Sequence, residues 1–144
     1  MKMSLDSSRR VLNTAAIFDL VSSIPLMLLG LFGFGLVRAA VKSPQIMEYL
    51  SSLGDSSFVA GGSAFLLLLG VLAVVESILA FRAVKDPTKI KPAWTLALIT
   101  FVLDAGNVVF CTLTDSLSIH AVLGLMIGVL VFSAANTLKE DMGL

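Results

Sequence analysis

Apolar residues collect into four long runs along this chain. The runs cover about residues 14–37, 58–81, 93–113 and 117–138. A helix needs roughly 20 apolar residues to cross the hydrocarbon core of a bilayer, and each run reaches that length. Only helices and closed barrels satisfy the backbone in lipid, and these runs are too long for barrel strands. The pattern therefore predicts an all-α, polytopic membrane protein built as a bundle of four transmembrane helices.

The connection between the first two runs carries a shorter pattern of its own. Ser43 suits a helix N-cap, Pro44 suits the first helical position, and Gly54 suits the stop after a helix. The apolar residues between them are spaced three or four positions apart: Ile46, Met47, Leu50 and Leu53. This spacing predicts a short interfacial helix with one apolar face on the outer membrane surface. We favour a connector that rests on lipid headgroups over a lid above an outward-facing cavity.

Composition agrees with a lipid environment. The chain of 144 residues is 57% apolar and only 14% charged, and its mean hydropathy is +0.98. This excludes an ordinary soluble fold, a disordered tail and a nucleic-acid-binding protein, and it leaves one four-span domain over residues 1–144. The single cysteine, Cys111, excludes an intrachain disulfide framework and a multi-cysteine metal site. No nucleophile, phosphate loop or cofactor motif is recognisable, so we expect neither an enzyme nor a resident cofactor.

The ten basic residues balance ten acidic ones, but they are unevenly distributed. Most of them lie in the terminal segments or between the second and third runs: Lys2, Arg9, Arg10, Arg82, Lys85, Lys89, Lys91 and Lys139. Only Arg38 and Lys42 lie on the opposite side. The positive-inside rule therefore predicts cytoplasmic termini, in a plasma membrane or a bacterial inner membrane. We favour topology as the reason for the basic loop, with anionic lipid binding as the alternative, and Trp94 beside it suits the interfacial aromatic belt.

Three carboxylates fall inside the predicted spans. They are Asp19, Glu76 and Asp104, and no Lys or Arg lies within the same runs. An acid at the centre of a membrane helix costs about 2.5–3.5 kcal/mol, so each of the three needs a reason to be there. We expect them to be buried and either protonated or hydrogen-bonded, with ionisation coupled to a bound cation or to water in a cavity. Pro25 lies close to Asp19 in sequence and predicts a kink in the first helix.

A polar stripe marks the third run. Its members are spaced by four, three, four and three residues and therefore share one helix face: Thr100, Asp104, Asn107, Cys111 and Thr114. Such a face avoids lipid, so we expect it to line a proton or cation path or to form interhelical hydrogen bonds. A rise of 1.5 Å per residue separates Glu76 and Asp104 by about 9 Å in depth, which argues against one metal cage. A vertical relay, or an Asp19–Asp104 pair with Glu76 as the inner gate, stays possible. The proton, cation or solute site predicted from these patterns comprises Asp19, Glu76, Asp104, Asn107 and Thr100.

Small residues predict where the helices pack. Gly30 and Gly33 form a patch in the first run, and Ser63 and Gly70 belong to a small-residue stripe in the second. The fourth run holds a small-xxx-small pair, Gly124 and Gly128. We interpret these as internal packing faces rather than dimer contacts, because four helices need several close contacts of this kind.

Two functions fit this sequence. The first is a proton- or cation-coupled transporter or channel, assembled as an oligomer, in which Asp19 and Asp104 bind the solute and Glu76 gates the inner side. The second is a non-catalytic accessory, scaffold or lipid-binding protein that associates with another membrane subunit. The expected partners are membrane lipids and either further copies of the chain or another membrane subunit, with no nucleic acid.

Overall fold

A computed structural model describes residues 3–115 and 117–144. Across these residues the chain is all-α, with five α-helices: α1 Leu5–Ala40, α2 Pro44–Leu53, α3 Ser56–Lys85, α4 Ile90–Leu113 and α5 Ile119–Asp141. Four of them, α1, α3, α4 and α5, are long and apolar enough to cross a membrane. The predicted fold class of four long apolar helices and one short helix is confirmed. Lys2, which counted toward the predicted orientation, lies outside the described residues.

The long helices extend past the apolar runs that predicted them. Helix α1 begins at Leu5 rather than near residue 14, and α3 continues to Lys85. At 1.5 Å per residue, the 36 residues of α1 measure about 54 Å, well beyond the ~30 Å hydrocarbon core. Hydropathy reports how much of a helix suits lipid, whereas the backbone hydrogen bonding of a helix continues into polar sequence.

Helix α2 begins and ends at the predicted residues. Ser43 is the N-cap and Pro44 the first helical residue, although the Ser43 side chain makes no capping hydrogen bond. Gly54 follows the helix at a φ of 141°, which a side chain would strain. Leu50 is buried, whereas Met47 stays 46% exposed, so only part of the apolar face packs against protein. The interfacial position of α2 stays a prediction.

The described residues form two compact units. Unit 1 comprises the described parts of Met1–Ile17 and Glu76–Leu144, and unit 2 comprises Phe18–Val75. The buried cluster of unit 1 draws residues from the start of α1, the end of α3, and both α4 and α5: Leu12, Ala83, Ile90, Ala93, Ala97, Ala134, Ala135 and Leu138. Five of these eight residues are alanine, which lets the helices approach closely. The single four-span domain predicted from the sequence stays a prediction.

Unit 2 packs α1 against α3 through the predicted small residues. Gly30 faces Leu67 and the Ser63 backbone, and Gly33 faces the Ser63 side chain. Large apolar side chains point outward instead, with Phe32 of α1 63% exposed. This arrangement is the reverse of a soluble domain and is typical of helices whose solvent is lipid. The interpretation of these glycines as internal packing positions is confirmed.

A tight turn organised by Asp86 connects α3 to α4. The Asp86 carboxylate accepts hydrogen bonds from the Thr88 hydroxyl at 2.6 Å and the Thr88 backbone N–H at 3.2 Å. It also pairs with the Lys89 ammonium at 3.3 Å. The Thr88 hydroxyl, followed by Lys89, holds the pKa of Asp86 below its ordinary value of 3.8.

The turn is expected to loosen in acid. Because the pKa of Asp86 is lowered in the folded chain, the stabilisation it gives is present above the ordinary pKa and is lost as pH falls through the lowered one. The Thr88 amide resonance, followed by NMR in micelles, is expected to titrate with a midpoint below 3.8. The Asp86→Ala variant is expected to show no such transition. A midpoint at or above the ordinary value in the wild-type chain would contradict the hydrogen-bonded turn.

Candidate functional site

Two of the predicted site residues meet between α3 and α4 within unit 1. The Thr100 hydroxyl donates a hydrogen bond of 3.3 Å to Oε2 of Glu76. The neighbouring residue, Ser77, is fully buried and donates to the Ala16 carbonyl of α1 at 2.7 Å. This buried bond ties the part of α3 that carries Glu76 to α1. The Thr100 bond ties the Glu76 carboxylate itself to α4.

Asp104 lies against the glycine face of α5. A Cβ added at Gly128 would lie 3.0 Å from Oδ2 of Asp104, and one added at Gly124 would lie 3.8 Å from Oδ1. About one helical turn before Asp104 on α4, the Phe101 ring stacks on Phe132 of α5 at a centroid distance of 5.7 Å. The predicted small-xxx-small pair therefore does form a helix contact, and the group it admits is the carboxylate of Asp104.

Alanine at Gly128 tests this contact. Its methyl group would press on Oδ2 at 3.0 Å, and we expect the free energy of unfolding in detergent to lie about 1 kcal/mol below that of Gly106→Ala, which has the same gain in helix propensity. Gly124→Ala creates only ordinary contact and Gly106→Ala meets nothing within 4 Å, so both serve as matched controls on unit 1. A Gly128→Ala protein as stable as Gly106→Ala would show that the carboxylate does not lie on this face.

The prediction that the carboxylates are buried is wrong. Asp19, Glu76 and Asp104 are each half-buried in the described structure. The reason is that the long helices expose broad surfaces. In the apolar stretch of the segment Pro87–Leu113, which contains α4, only 6% of the residues are buried. Sequence position along a span gives depth in the membrane, but enclosure depends on how many helices surround that depth.

The polar stripe of α4 is also more open than its spacing predicts. Thr100, Asp104 and Cys111 are half-buried, but Asn107 and Thr114 are exposed. The Cys111 thiol donates to Oδ1 of Asn107 at 3.7 Å, a bond within α4 itself. The stripe thus runs from the Thr100 contact with α3 to an open helix surface at Asn107, and the expectation that it lines a proton or cation path or forms interhelical hydrogen bonds stays a prediction there.

Asp19 belongs to unit 2, whereas the other four predicted site residues belong to unit 1. The Ser22 hydroxyl donates to the Asp19 carbonyl at 3.1 Å, and Ser23 donates to Leu20 at 2.7 Å. Asp19 and Glu76 each have an interaction partner. Helix α1 continues through Pro25 without interruption. The kink at Pro25 and the Asp19 pairing with Asp104 stay predictions.

A second polar cluster joins α4 to α5 and was missed by sequence reasoning. The Trp94 indole N–H donates to Oδ1 of Asn136 at 3.2 Å, and the Lys139 ammonium lies 3.4 Å from the Trp94 ring centroid. The Asn136 amide in turn donates to Glu140 at 2.9 Å. The sequence signal was the spacing of Asn136, Lys139 and Glu140 by three and four residues, which places them on one side of α5.

Comparisons of this chain with models of known protein families, with characterised proteins and with solved structures find no match. The geometry of the chain itself is therefore the evidence for its function. The most informative features are the hydrogen bond from Thr100 to Glu76, the position of Asp104 against the glycine face of α5, and the exposed amide of Asn107.

Proposed function

We propose that this integral membrane protein is a small transporter or channel for protons or cations, in which Asp104 is the binding group. The observation that carries the proposal is the half-buried carboxylate of Asp104, held against the glycine face of α5 midway along an apolar helix. Ionisable residues at such depths are rare and are typically functional, because placing them there opposes insertion.

Depth and exposure together support this role. Asp104 lies roughly 21 Å along α4 from Ile90 and roughly 14 Å from Leu113, at 1.5 Å per residue. A charged carboxylate at that depth needs a proton, a cation or water beside it. The carboxylate is half-buried rather than enclosed, and Gly124 and Gly128 leave no side chain of their own between it and the α5 backbone.

Further oxygen atoms extend the proposed path on either side of Asp104. Thr100 precedes it by one turn on the same face and bonds to Glu76, and Asn107 follows it by one turn. Alternating carboxylate, hydroxyl and amide groups are suitable stepping positions for a proton or a small cation. We assign Glu76 to the inner side, with both termini in the cytoplasm, because the basic residues of the terminal segments and the central loop favour that orientation.

A second candidate is a subunit of a larger membrane complex, and the exposure of Asn107 favours it. Leu103 and Phe110, on either side of Asn107 in α4, are 60% and 64% exposed, so the amide lies among lipid-facing side chains. The Asn107 amide accepts the long hydrogen bond from Cys111 within α4, and a neighbouring polar helix would supply the stronger hydrogen bonds that an amide in hydrocarbon needs. The partner helix would come from another copy of the chain or from a different membrane protein.

Reconstitution separates the two candidates. The purified wild-type chain is placed in liposomes, and proton, sodium and potassium gradients are imposed one at a time, with protein-free liposomes of the same lipid as reference. Transport predicts dissipation of at least one gradient above the reference. The absence of all three fluxes overturns transport, and a stable membrane partner recovered in mild detergent would then establish the subunit role.

A further inference from the structure

Basic residues from four segments surround the buried cluster of unit 1. The cluster includes Leu12 of α1, Ala83 of α3, Ile90 of α4 and Leu138 of α5. Lys and Arg residues lie within three positions of these buried residues in sequence: Arg9, Arg10, Arg82, Lys85, Lys89, Lys91 and Lys139. Three positions in a helix span about 4.5 Å along its axis, so the packing of four buried residues brings all of these charges to one end of unit 1.

Some of these charges are already engaged. Lys89 pairs with Asp86 at 3.3 Å, and Lys139 lies over the Trp94 ring. The remaining five are exposed, and we call them the basic ring: Arg9, Arg10, Arg82, Lys85 and Lys91. The acidic residues at the same helix ends are Asp6, Asp86, Glu140 and Asp141. Because Asp86 pairs with Lys89, the three acidic residues that remain, Asp6, Glu140 and Asp141, are outnumbered by the five residues of the basic ring, and this end keeps an excess of positive charge.

An apolar surface continues directly from the basic ring. Ile78 of α3 is 51% exposed and lies four residues before Arg82, so the two share one helix face. Lys85 follows three residues later on the same side. A phospholipid has the matching order of groups, with an acyl chain that can lie on Ile78 and a phosphate that Arg82 can bind through two parallel hydrogen bonds.

We propose that the basic ring is a binding site for the headgroups of anionic phospholipids, with Arg82 and Lys85 as its centre. A soluble phosphate would use the charges but not the adjoining apolar face, whereas a lipid uses both. Each basic residue close to a membrane surface strengthens binding of anionic lipid by roughly fivefold. The site stands independently of the transport proposed above.

Lipid selectivity of the full chain tests the proposal. The protein is reconstituted in phosphatidylcholine nanodiscs that contain a trace of spin-labelled phosphatidylglycerol or spin-labelled phosphatidylcholine, and the relative association constant is measured by electron spin resonance. Both leaflets have the same composition, so orientation does not affect the result. We expect the wild-type chain to prefer phosphatidylglycerol by about fivefold or more at low salt, with the preference reduced as salt screens the charges.

Paired variants identify the location of the site. Arg82→Gln with Lys85→Gln is expected to reduce the preference severalfold, leaving the part that Arg9, Arg10 and Lys91 supply. Arg38→Gln with Lys42→Gln removes the same charge at and just beyond the other end of α1, away from the basic ring, and is expected to reduce the preference by clearly less. The charge-preserving pair Arg82→Lys with Lys85→Arg is expected to keep most of the preference, which separates loss of charge from loss of folding.

Three outcomes would overturn the lipid site. They are no preference in the wild-type chain, equal losses in the two glutamine pairs, and displacement of the labelled lipid by millimolar glycerol phosphate. The last result would mean that a soluble phosphate occupies the basic ring.

Discussion

Alanine at Gly30 is expected to lower the free energy of unfolding by about 1–3 kcal/mol. A Cβ at this position would lie 2.6 Å from Cγ of Leu67 and 2.8 Å from the carbonyl oxygen of Ser63. The Leu67 side chain can move aside, but the Ser63 carbonyl belongs to the backbone of α3. Relief of that contact therefore requires the two helices to separate, which weakens every neighbouring contact between them.

A neighbouring substitution gives a smaller expected effect for a physical reason. At Gly33 the added carbon would meet the Ser63 hydroxyl, which can rotate away at the expense of its 2.7 Å hydrogen bond to the Val59 carbonyl. We therefore expect Gly33→Ala to be less stable, by about 1 kcal/mol, than an alanine substitution at an uncrowded glycine of the same helix, since this is the usual net value of one hydrogen bond. Gly33→Ala is expected to be more stable than Gly30→Ala, because only a side chain must move at Gly33, whereas a backbone atom must move at Gly30.

Gly35 supplies the control on the same helix. Nothing lies within 4 Å of its added Cβ, and alanine favours a helix over glycine by up to about 1 kcal/mol. Gly35→Ala is therefore expected to match or exceed the wild-type stability. Reversible unfolding in mixed micelles with increasing sodium dodecyl sulfate measures all three variants. Equal stability of Gly30→Ala and Gly35→Ala would contradict the close packing of α1 on α3.

The number and type of the long helices could be predicted because the thickness of a bilayer fixes the length of an apolar run. The fourth run was predicted at 117–138, and α5 occupies Ile119–Asp141. The start of α1 could not be predicted in this way. Its first turns are partly polar. They are stabilised by tertiary contacts within unit 1, where Leu12 belongs to the same buried cluster as Ala83.

One contact of the candidate site was within reach of the sequence. Thr100 lies about 12 Å beyond Pro92 and Glu76 about 9 Å before Arg82, at 1.5 Å per residue. These similar depths on neighbouring helices are compatible with the hydrogen bond between them. Likewise, the Gly124 and Gly128 pair indicated a close helix contact. That Asp104 is the group in contact depends on the rotation of α4, which periodicity leaves open.

The exposure of Asn107 could not be predicted from the sequence. The spacing of the polar stripe shows which residues share a face, but it does not show which helix covers each part of that face. Near Thr100 the stripe meets α3, while at Asn107 the surface is open. The cover of the open part depends on what packs against this surface in the membrane, which the spacing does not encode.

Replacement of Asp104 by asparagine is expected to abolish the proposed flux. The amide has nearly the shape of the carboxylate and still fits beside Gly124 and Gly128, so stability is expected to change little. It carries no charge and exchanges no proton in the physiological range, so it cannot bind a cation electrostatically. Loss of an interaction of about 1.4 kcal/mol at the rate-limiting step slows a process tenfold, and loss of the binding group is expected to exceed this.

Asp115 offers a matched control for the same chemical change. It lies outside the predicted spans, after the end of α4, and has a φ of 51°. Asparagine tolerates this backbone conformation as readily as aspartate, so Asp115→Asn keeps the local fold. Its flux is expected to equal that of the wild-type chain, which would assign any loss in Asp104→Asn to the position of the carboxylate rather than to the net charge.

The most direct test is the initial rate of proton and cation flux into liposomes that carry equal amounts of the wild-type, Asp104→Asn or Asp115→Asn chain. A transporter or channel that works through Asp104 predicts equal rates for the wild-type and Asp115→Asn proteins, and a rate at the protein-free background for Asp104→Asn. Wild-type flux that persists in Asp104→Asn would contradict the role of this carboxylate.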